Sequence, residues 1–365
     1  QSGWPRGHQA GTVMAMAALG DPKKYHDDFY KMLEYDSQLV SFKPPGQPRG
    51  AYVGTDPKHP YLNKWAEIAD ESEQSRFDLA AGLQAATEDY MRKLFTKFLD
   101  ENPNLRNVCL AGGVSLNSVA MGKMLDWFDG RVDKFYVTPT PHDGGLTIGA
   151  AQYVWHHILD KPRNEWKDNC TPYLGVLYDD NAVTQTINEF SDEVKYRAVE
   201  EDEVIDLLDK ENIVAVFGGG SESGRRALGN RSILADPRSP KMKDKINEKV
   251  KHRQWFRPFA PSILEEEVEN WFERGVQSPY MSFVLKFKEE SLDKVPAVVH
   301  FNGTARLQSV AENDNNWYYN FIKKWQKKSG GPILLNTSFN DREPICETPE
   351  HAIRCYLKTE IDYLY

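Results

Sequence analysis

Short apolar runs, each followed by glycines or a polar turn and then by a helical pattern, are the feature that most restricts the fold of this chain. The run VCLA, from Val108, leads into a glycine pair and a helical stretch at 115–125. KFYV at 134–137 leads into TPTPHDGG and the small-residue helix LTIGAAQYVW. In the second half, IVAVF precedes GGG, and PILLN precedes a helical stretch after Thr348. Strands that alternate with helices in this way predict an α/β architecture.

The length of 365 residues is enough for two domains of ordinary size. Residues 78–99 carry apolar side chains at helical spacing, with Asp78 as the expected N-cap, and 201–211 reads as a charged helix. Between them the pattern lapses into the polar, proline-containing stretch KPRNEWKDNCTP. We therefore expect one domain over 1–165 and a second over 172–365.

Composition excludes several classes of protein. No apolar run approaches the roughly 18 residues of a membrane span, and no secretory apolar segment is recognisable. The four cysteines form no CxxC pair, which disfavours a zinc ribbon or a disulfide framework. A net charge of −9 argues against broad nucleic-acid binding. These features predict a cytoplasmic protein.

The stretch 225–257, RRALGNRSILADPRSPKMKDKINEKVKHRQWFR, departs from this acidic background. It holds eleven Lys or Arg and three acids, a balance of +8, so the rest of the chain sums to −17. Arginines set among small and turn-forming residues suit a packed pocket in which guanidinium groups meet phosphate oxygens. The alternative is a solvated basic helix, which KMKDKINEKVKH alone would fit.

Two turns in the first half are candidate ligand sites. LAGGVSLNS, at 110–118, places glycines between a strand and a helix, where free N–H groups favour phosphate or ribose oxygens, although such turns are also commonly structural. It matches neither GxGxxG nor the P-loop. Asp143, in TPTPHDGG, is either a helix cap or a carboxylate metal ligand, with His142 as a second ligand or a rim residue.

Three turns in the second half carry further anion-binding groups. FRPFAPSIL fixes Arg257 between aromatic residues and prolines, HFNGTARLQ presents Arg306 after a turn, and LLNTSFN at 334–340 is a strand that ends in hydroxyls and amides. Each could be a surface loop. Together with the basic stretch they favour convergence on one anion.

At this point the sequence resembles a known family. The strings LAGGVSLNS, HDGGLTIGAA, GRRALGNRSILADPRS, VKHRQWFRPFAPSIL, HFNGTARLQ and GGPILLNTSFNDREPICETPEHA are similar, in order and over nearly the whole chain, to O-carbamoyltransferases of the nodulation-protein and tobramycin carbamoyltransferase type. The resemblance implies the second lobe of an actin-like (sugar-kinase/Hsp70-like) ATPase domain followed by a YrdC-like α/β domain.

The chemistry that the resemblance implies uses ATP and carbamoyl phosphate. Carbamoyl-adenylate forms in the YrdC-like domain, and the carbamoyl group passes to a small-molecule hydroxyl acceptor at a metal, expected to be Fe²⁺, with Mg²⁺ as a further candidate beside ATP. The implied catalytic residues are Arg226, Lys251, Arg257, Arg306 and Ser338. The implied cofactor-binding residues are Gly112, Gly113, Asn117, Asn230, Asn336 and Asn340, and the implied metal ligand is Asp143.

The sequence also departs from the family pattern. Its opening residues resemble the middle of the family's first domain, so we expect the first lobe, which carries an HxxxH metal-ligand pair, to be missing or to be supplied by a separate polypeptide. Thr12 stands where the family has Lys, Gly220 where it has Arg, Arg225 where it has Pro, and Arg342 where it has Gly. The chain could also form a homodimer.

Two other functions stay open at this stage. The related threonylcarbamoyl-adenylate chemistry of tRNA modification pairs similar domains, although the acidic balance weakens the case for tRNA. A non-catalytic binding subunit would fit the missing lobe and the altered Gly220 and Arg225. The sequence names no particular hydroxyl acceptor.

Overall fold

The computed structural model describes residues 10–31, 33–35, 40–42, 60–163 and 172–365. Its α-helices are α1 (Ala10–Met16), α2 (His26–Tyr30), α3 (Pro60–Glu71), α4 (Glu73–Glu101), α5 (Ser118–Trp127), α6 (Leu146–Tyr153), α7 (Asp180–Glu189), α8 (Glu201–Asp209), α9 (Met242–Lys249), α10 (Val268–Trp271), α11 (Asn316–Ser329) and α12 (Pro349–Lys358). Its strands are β1 (Leu33–Tyr35), β2 (Val40–Phe42), β3 (Asn107–Leu110), β4 (Lys134–Val137), β5 (Val214–Phe217), β6 (Arg231–Ala235), β7 (Ala260–Leu264), β8 (Phe283–Lys286), β9 (Thr304–Val310), β10 (Ile333–Ser338) and β11 (Tyr363–Leu364).

The chain divides into two compact units. One contains residues 1–108 and 123–134, and the other contains 109–122 and 135–365. The domain boundary expected between 165 and 172 falls on residues outside the described ranges, and it stays a prediction.

The first unit is organised around the long helix α4. Chain segments pack directly onto its backbone, because glycines stand at the contact points. A Cβ added to Gly20 would lie 2.0 Å from the carbonyl oxygen of Phe77, and one added to Gly82 would lie 2.2 Å from that of Lys24. Only glycine permits such close approach, so these two positions determine how residues 17–30 lie against α4.

The expectation that Asp78 caps this helix is wrong. The helix begins earlier, at Glu73, and Ser72 is the N-cap, whose side chain accepts a hydrogen bond from the Ser75 N–H. Asp78 lies inside α4 at 3% exposure and accepts hydrogen bonds from the Asp21 N–H, at 3.0 Å, and from Lys24 Nζ, at 2.7 Å. The apolar spacing identified the helix, but it could not show that one carboxylate on its buried face binds a distant loop.

The second unit contains a seven-stranded mixed sheet with the strand order β11-β5-β6-β10-β7-β9-β8. The pairs β11·β5 and β7·β9 are parallel, and the pairs β5·β6, β6·β10, β10·β7 and β8·β9 are antiparallel. The second unit therefore has a mixed α/β fold, as the alternation of strands and helices predicts. The finer assignments, actin-like for the first domain and YrdC-like for the second, stay predictions.

Helices α8 and α11 contribute to the core that covers one region of this sheet. Their apolar side chains form one buried cluster with residues of β5, β6, β7, β9 and β10. Trp325 of α11, at 1% exposure, donates its indole N–H to the carbonyl of Ile333 at 2.7 Å. The core thus supports the sheet whose strands carry Arg231, Arg306 and Ser338. Among the described residues, none of the helices combines the length and apolarity needed to cross a bilayer.

We predict that Asp78→Asn lowers the free energy of unfolding by about 1–3 kcal/mol, because a buried carboxylate loses charge-assisted hydrogen bonds. Although burial raises the pKa of Asp78, its bonds to Lys24, Asp21 and Gln74 lower it below the usual value overall. Its contribution to stability is therefore present near neutral pH and lost as pH falls through that lowered pKa. Urea unfolding at pH 7 and pH 3 measures both effects, with the exposed Asp70→Asn as the control; equal losses for the two variants would contradict the prediction.

Candidate functional site

The segment that carries Arg226 is shaped by one buried carboxylate. Oε1 of Glu222 accepts hydrogen bonds from the backbone N–H groups of Leu228 at 2.7 Å, Asn230 at 2.9 Å and Arg231 at 3.3 Å. Burial raises the pKa of Glu222, while these backbone donors act in the opposite direction. The carboxylate therefore acts as a template that folds residues 222–231 into a tight loop.

Within this loop, the position of Gly229 requires glycine. Its φ is +123°, and a Cβ there would lie 2.6 Å from the ring of Tyr318. The neighbouring Asn230 donates from Nδ2 to the carbonyl of Gly220 at 2.8 Å and accepts from Asn315 Nδ2 at 2.8 Å. Through these contacts Asn230 stabilises the loop. Its contact with a nucleotide stays a prediction.

Arg231, the third arginine of the basic stretch, is used inside the protein. It is fully buried, its Nη1 donates to the carbonyl of Gly218 at 2.7 Å, and its guanidinium lies 3.7 Å from the centre of the Phe217 ring. Because Nη1 and Nη2 donate to the carbonyls of Gly218 and Gly219, the side chain stabilises the GGG turn at 218–220.

Four other arginines form what we call the guanidinium cluster: Arg226, Arg253, Arg257 and Arg306. Burial, with repulsion from neighbouring arginines, lowers the pKa of three cluster members, to about 10 for Arg226, to about 9 for Arg253 and well below the usual value for Arg306. Burial also lowers the pKa of Arg257. No carboxylate contributes to any of these shifts. Among the described residues, the cluster is thus a set of converging cations without a compensating anion.

Arg253 is the member that sequence reasoning missed. Its Nε donates to Asn247 Oδ1 at 2.7 Å, and its guanidinium lies 4.6 Å from the centre of the Phe259 ring. Its position four residues before Arg257, within the same aromatic-rich turn, was the available signal. The structure brings Arg226 and Arg257 close enough to Arg306 for their charges to lower its pKa. Their convergence on one anion stays a prediction.

Lys251 is buried at 3% exposure and is enclosed by the end of β10. Its Nζ donates to the carbonyl oxygens of Ser338 and Asn340 and to Asn340 Oδ1, the last two at 2.8 Å. Burial, with Arg253 nearby, holds the pKa of Lys251 well below its usual value. Ser338 Oγ donates to Asn340 Oδ1 at 2.7 Å. These predicted site residues therefore lie together, with the ammonium bound to the turn that presents Ser338.

Asn336 lies in β10, two residues before Ser338, and is buried at 1% exposure. Its Nδ2 donates to the carbonyl of Ala227 at 3.1 Å, to Ser262 Oγ at 3.0 Å and to Gln308 Oε1 at 2.9 Å. Because Ala227 follows Arg226 directly, this buried network positions the arginine. A direct role of Asn336 in binding a cofactor stays a prediction.

The glycine turn predicted to bind a nucleotide adjoins the guanidinium cluster. Gly112 has φ +97°, and a Cβ on either Gly112 or Gly113 would meet no atom within 4 Å, so the surface here is open. Asn117 accepts from the Ala120 N–H at 3.2 Å and thereby caps α5. Arg226 Nη2 donates to the carbonyl of Leu116 at 3.4 Å, which joins this turn to the cluster.

Asp143 opens a short 3-10 turn, Asp143–Gly145, and is exposed. Its neighbour His142 has its pKa lowered by burial and by Arg225 and Arg226, which places this turn beside the same cations. Within the described ranges no group of three His, Cys, Asp or Glu side chains could hold a metal ion. One carboxylate and one imidazole are too few donors for a stable iron site. Asp143 and His142 therefore do not complete an iron site by themselves, and the binding of Fe²⁺ stays a prediction.

Three of the four positions that depart from the family pattern, Gly220, Arg225 and Arg342, lie in the same compact unit as these loops. A Cβ on Gly220 would be 2.9 Å from the carbonyl oxygen of Gly175, so the chain is crowded at this point. Arg225 is exposed. Arg342 donates to the carbonyl of His252 at 2.8 Å and thereby supports the turn that carries Arg253.

Comparison with known families gives two matches. The family described as Carbamoyltransferase N-terminus matches residues 2–152, and Carbamoyltransferase C-terminus matches residues 205–365. A solved structure, that of full-length HypF in the phosphate- and nucleotide-bound form, superposes with a TM-score of 0.34 at 15% identity, over 64% of this chain and 35% of HypF. This similarity is too low to transfer a fold or a ligand.

Curated relatives match over much of the chain. Nodulation protein NolO of Bradyrhizobium diazoefficiens is 35% identical over 96% of this chain and 63% of NolO. An uncharacterized protein of Methanocaldococcus jannaschii is 35% identical over 97% of this chain and 57% of its own length. Nodulation protein U of Rhizobium fredii is 36% identical over 65% of this chain and 39% of its own length. The chain thus spans about half the length of such relatives.

We predict that Glu222→Ala lowers the free energy of unfolding by at least about 3 kcal/mol, because three buried N–H groups lose their acceptor at about 1–3 kcal/mol each. Glu222→Gln keeps an acceptor oxygen and should lose less. Because burial raises the pKa of Glu222, wild-type stability should fall as pH rises from about 4 through that raised pKa, and Glu222→Gln should lack this component. Urea unfolding across pH measures both, with the exposed Glu193→Gln as the control; a loss in Glu222→Ala no larger than in the control would contradict the template role.

Proposed function

Because this chain belongs to the carbamoyltransferase family, we propose that it carries out ATP-dependent O-carbamoyl transfer from carbamoyl phosphate to an acceptor hydroxyl. The guanidinium cluster is the observation that carries the proposal. In this reading the cluster receives carbamoyl phosphate and the phosphates of ATP, and the neighbouring glycine turn and Asp143 lie on the side where the acceptor reacts.

The proposed activation of the carbamoyl group consumes one water molecule. Loss of phosphate from carbamoyl phosphate, with uptake of water, leaves carbamate. A carbamate oxygen then attacks the α-phosphorus of ATP, the bond from this phosphorus to the oxygen that bridges it to the β-phosphate breaks, and pyrophosphate leaves carbamoyl-adenylate behind. In the transfer step the acceptor hydroxyl loses its proton and attacks the carbamoyl carbon, and AMP leaves. Both leaving groups of the activation are polyanions. Cations that are already aimed at the developing charge stabilise it without reorganisation of solvent, which is the largest single source of catalysis in many enzymes.

The electrostatic state of the guanidinium cluster supports this use. Four partly buried cations near one another destabilise their own charged forms, in agreement with the lowered pKa values of Arg226, Arg253 and Arg306. A bound dianion would relieve both the repulsion and the lost hydration, and planar guanidinium groups match phosphate oxygens in pairs. A solvated basic helix would not bury its cations in this way.

Transfer to the acceptor is proposed to occur beside Asp143 and the turn at 112–117. Asp143 and the turn at 112–117 adjoin the cluster through His142 and Leu116, so an activated carbamoyl group and an acceptor could meet there. Because the chain spans about half the length of its relatives, we propose that residues corresponding to the remainder of those relatives complete the acceptor site. Fe²⁺ held by such residues together with Asp143 would lower the pKa of the acceptor hydroxyl.

We predict that Arg257→Ala and Arg306→Ala each reduce carbamoyl-phosphate-dependent pyrophosphate release at least about 100-fold, which corresponds to about 2.7 kcal/mol of transition-state stabilisation. Arg306→Lys should recover little, because lysine cannot reproduce a paired guanidinium contact. Arg197→Ala is the control, since Arg197 is an exposed arginine that pairs with Glu203. Retention of activity within about twofold in both variants would show that the pocket is wrongly assigned.

We predict that Asp143 is needed for transfer but not for activation. The chain with carbamoyl phosphate, ATP, Fe²⁺ and tobramycin as a probe acceptor should consume ATP without forming carbamoylated product. Water at about 55 M competes with an acceptor that is not positioned, at a cost of about 7–11 kcal/mol in effective molarity. Adding the part of NolO that lies outside the match should restore transfer.

In that reconstituted mixture Asp143→Ala should abolish transfer and leave pyrophosphate release unchanged, whereas the exposed Asp192→Ala should affect neither. Mass spectrometry of tobramycin measures the product. Efficient carbamoylation by the chain alone, or by Asp143→Ala, would contradict the role given to Asp143.

A further inference from the structure

Two large aromatic side chains lie exposed beside the guanidinium cluster. Trp255 is 50% exposed and Phe301 is 53% exposed. Their ring centres are 5.7 Å apart, with the rings nearly perpendicular at 86°. Trp255 also meets the largely buried Phe256 edge to face, at 5.9 Å and 83°. Neighbouring rings therefore fix the orientation of the indole while half of its surface faces solvent.

The backbone that carries Trp255 is fixed to that of the cluster. Asn247, at 2% exposure, donates from Nδ2 to the carbonyl of Arg257 at 3.1 Å and to that of Trp255 at 3.5 Å, and its Oδ1 accepts from Arg253 Nε at 2.7 Å. One buried amide thus holds two cluster arginines and the tryptophan between them in a single turn.

Positive charge continues from the cluster to the second aromatic ring. Lys243 Nζ lies 4.4 Å from the centre of the Phe301 ring, and Arg253 adds to the burial that lowers the pKa of Lys243. His300 precedes Phe301, and burial together with Arg306 and Lys243 lowers the pKa of its imidazole to about 3, so this side chain is neutral. Cations therefore lie close to the aromatic pair.

We propose that Trp255, with Phe301 at its edge, is the stacking surface for the purine base of a nucleotide whose phosphates lie in the guanidinium cluster. This inference rests on the proposed function, because it assigns the base of the nucleotide used there. An exposed, fixed aromatic face that adjoins unpaired cations is complementary to a molecule with a flat apolar ring at one end and phosphates at the other. Lys243 covers one face of Phe301, so the base stacks on the indole and meets Phe301 edge-on.

The magnitude of such stacking sets the expected effect. A base stacked on an aromatic side chain contributes roughly 5- to 100-fold in affinity. The contribution of the phosphates comes from other residues, so a nucleotide and a bare polyphosphate should respond differently to the loss of the ring. A docking surface for a polypeptide would show no such difference.

The test compares the affinities of ATP and inorganic tripolyphosphate for the full chain by isothermal titration calorimetry. Trp255→Ala should weaken ATP binding about 10-fold or more and leave tripolyphosphate binding unchanged, and Trp255→Phe should retain most of the ATP affinity. Phe301→Leu should have a smaller effect in the same direction. Tyr196→Ala, which removes an exposed aromatic ring elsewhere (62% exposed), should change neither affinity.

Equal weakening of both ligands in Trp255→Ala, unchanged ATP affinity in that variant, or no ATP binding by the wild type would each overturn the inference. Pyrophosphate release measured in parallel separates it from the proposed function. If, at ATP concentrations well below KM, carbamoyl phosphate drives pyrophosphate release equally in wild type and Trp255→Ala, the stacking surface is wrong and the proposed function stands. If no carbamoyl-phosphate-dependent pyrophosphate release occurs while Trp255→Ala selectively weakens ATP binding, the proposed function is wrong and the stacking surface stands.

Discussion

A single carboxylate oxygen, Oε1 of Glu222, accepts hydrogen bonds from the backbone N–H groups of Leu228, Asn230 and Arg231, and the geometry of the candidate site follows from it. The loop that it folds places Arg226 against the carbonyl of Leu116 and starts strand β6 at Arg231. Because the acceptor and all three donors are buried or nearly so, the loop has little freedom. The charge that organises the site is therefore negative, although the site itself is cationic.

Opposite this template, positive charge is divided between two uses. Arg231 donates to a carbonyl oxygen of the GGG turn, and Lys251 donates to a carbonyl oxygen just after β10. These two cations therefore stabilise the backbone around the site. The members of the guanidinium cluster lie near one another, and among the described residues no carboxylate compensates their charge. Such an arrangement costs stability in the absence of a ligand, since desolvated cations repel one another, and a bound anion offsets that cost.

Much of this arrangement could be predicted from the chain, because the signals are local. The charge imbalance over 225–257 is visible in sequence, and so are the prolines around Arg257 and the glycines at 112–113. The division of labour among the cations could not be predicted, since it depends on long-range contacts. Lys251 binds a turn nearly ninety positions away, and Asp78, expected at a helix end, binds a distant loop from inside α4.

The burial of Lys251 has a consequence for how the site behaves at high salt concentration. Counterions screen charges that face water, such as Lys249, whose side chain is 44% exposed, but they cannot approach an ammonium group enclosed by carbonyl oxygens. The field inside the site should therefore persist at ionic strengths that erase the attraction of the surrounding basic surface. Selection of the proposed small dianion over larger polyanions then depends on access to the interior, and not on the net charge of the segment 225–257.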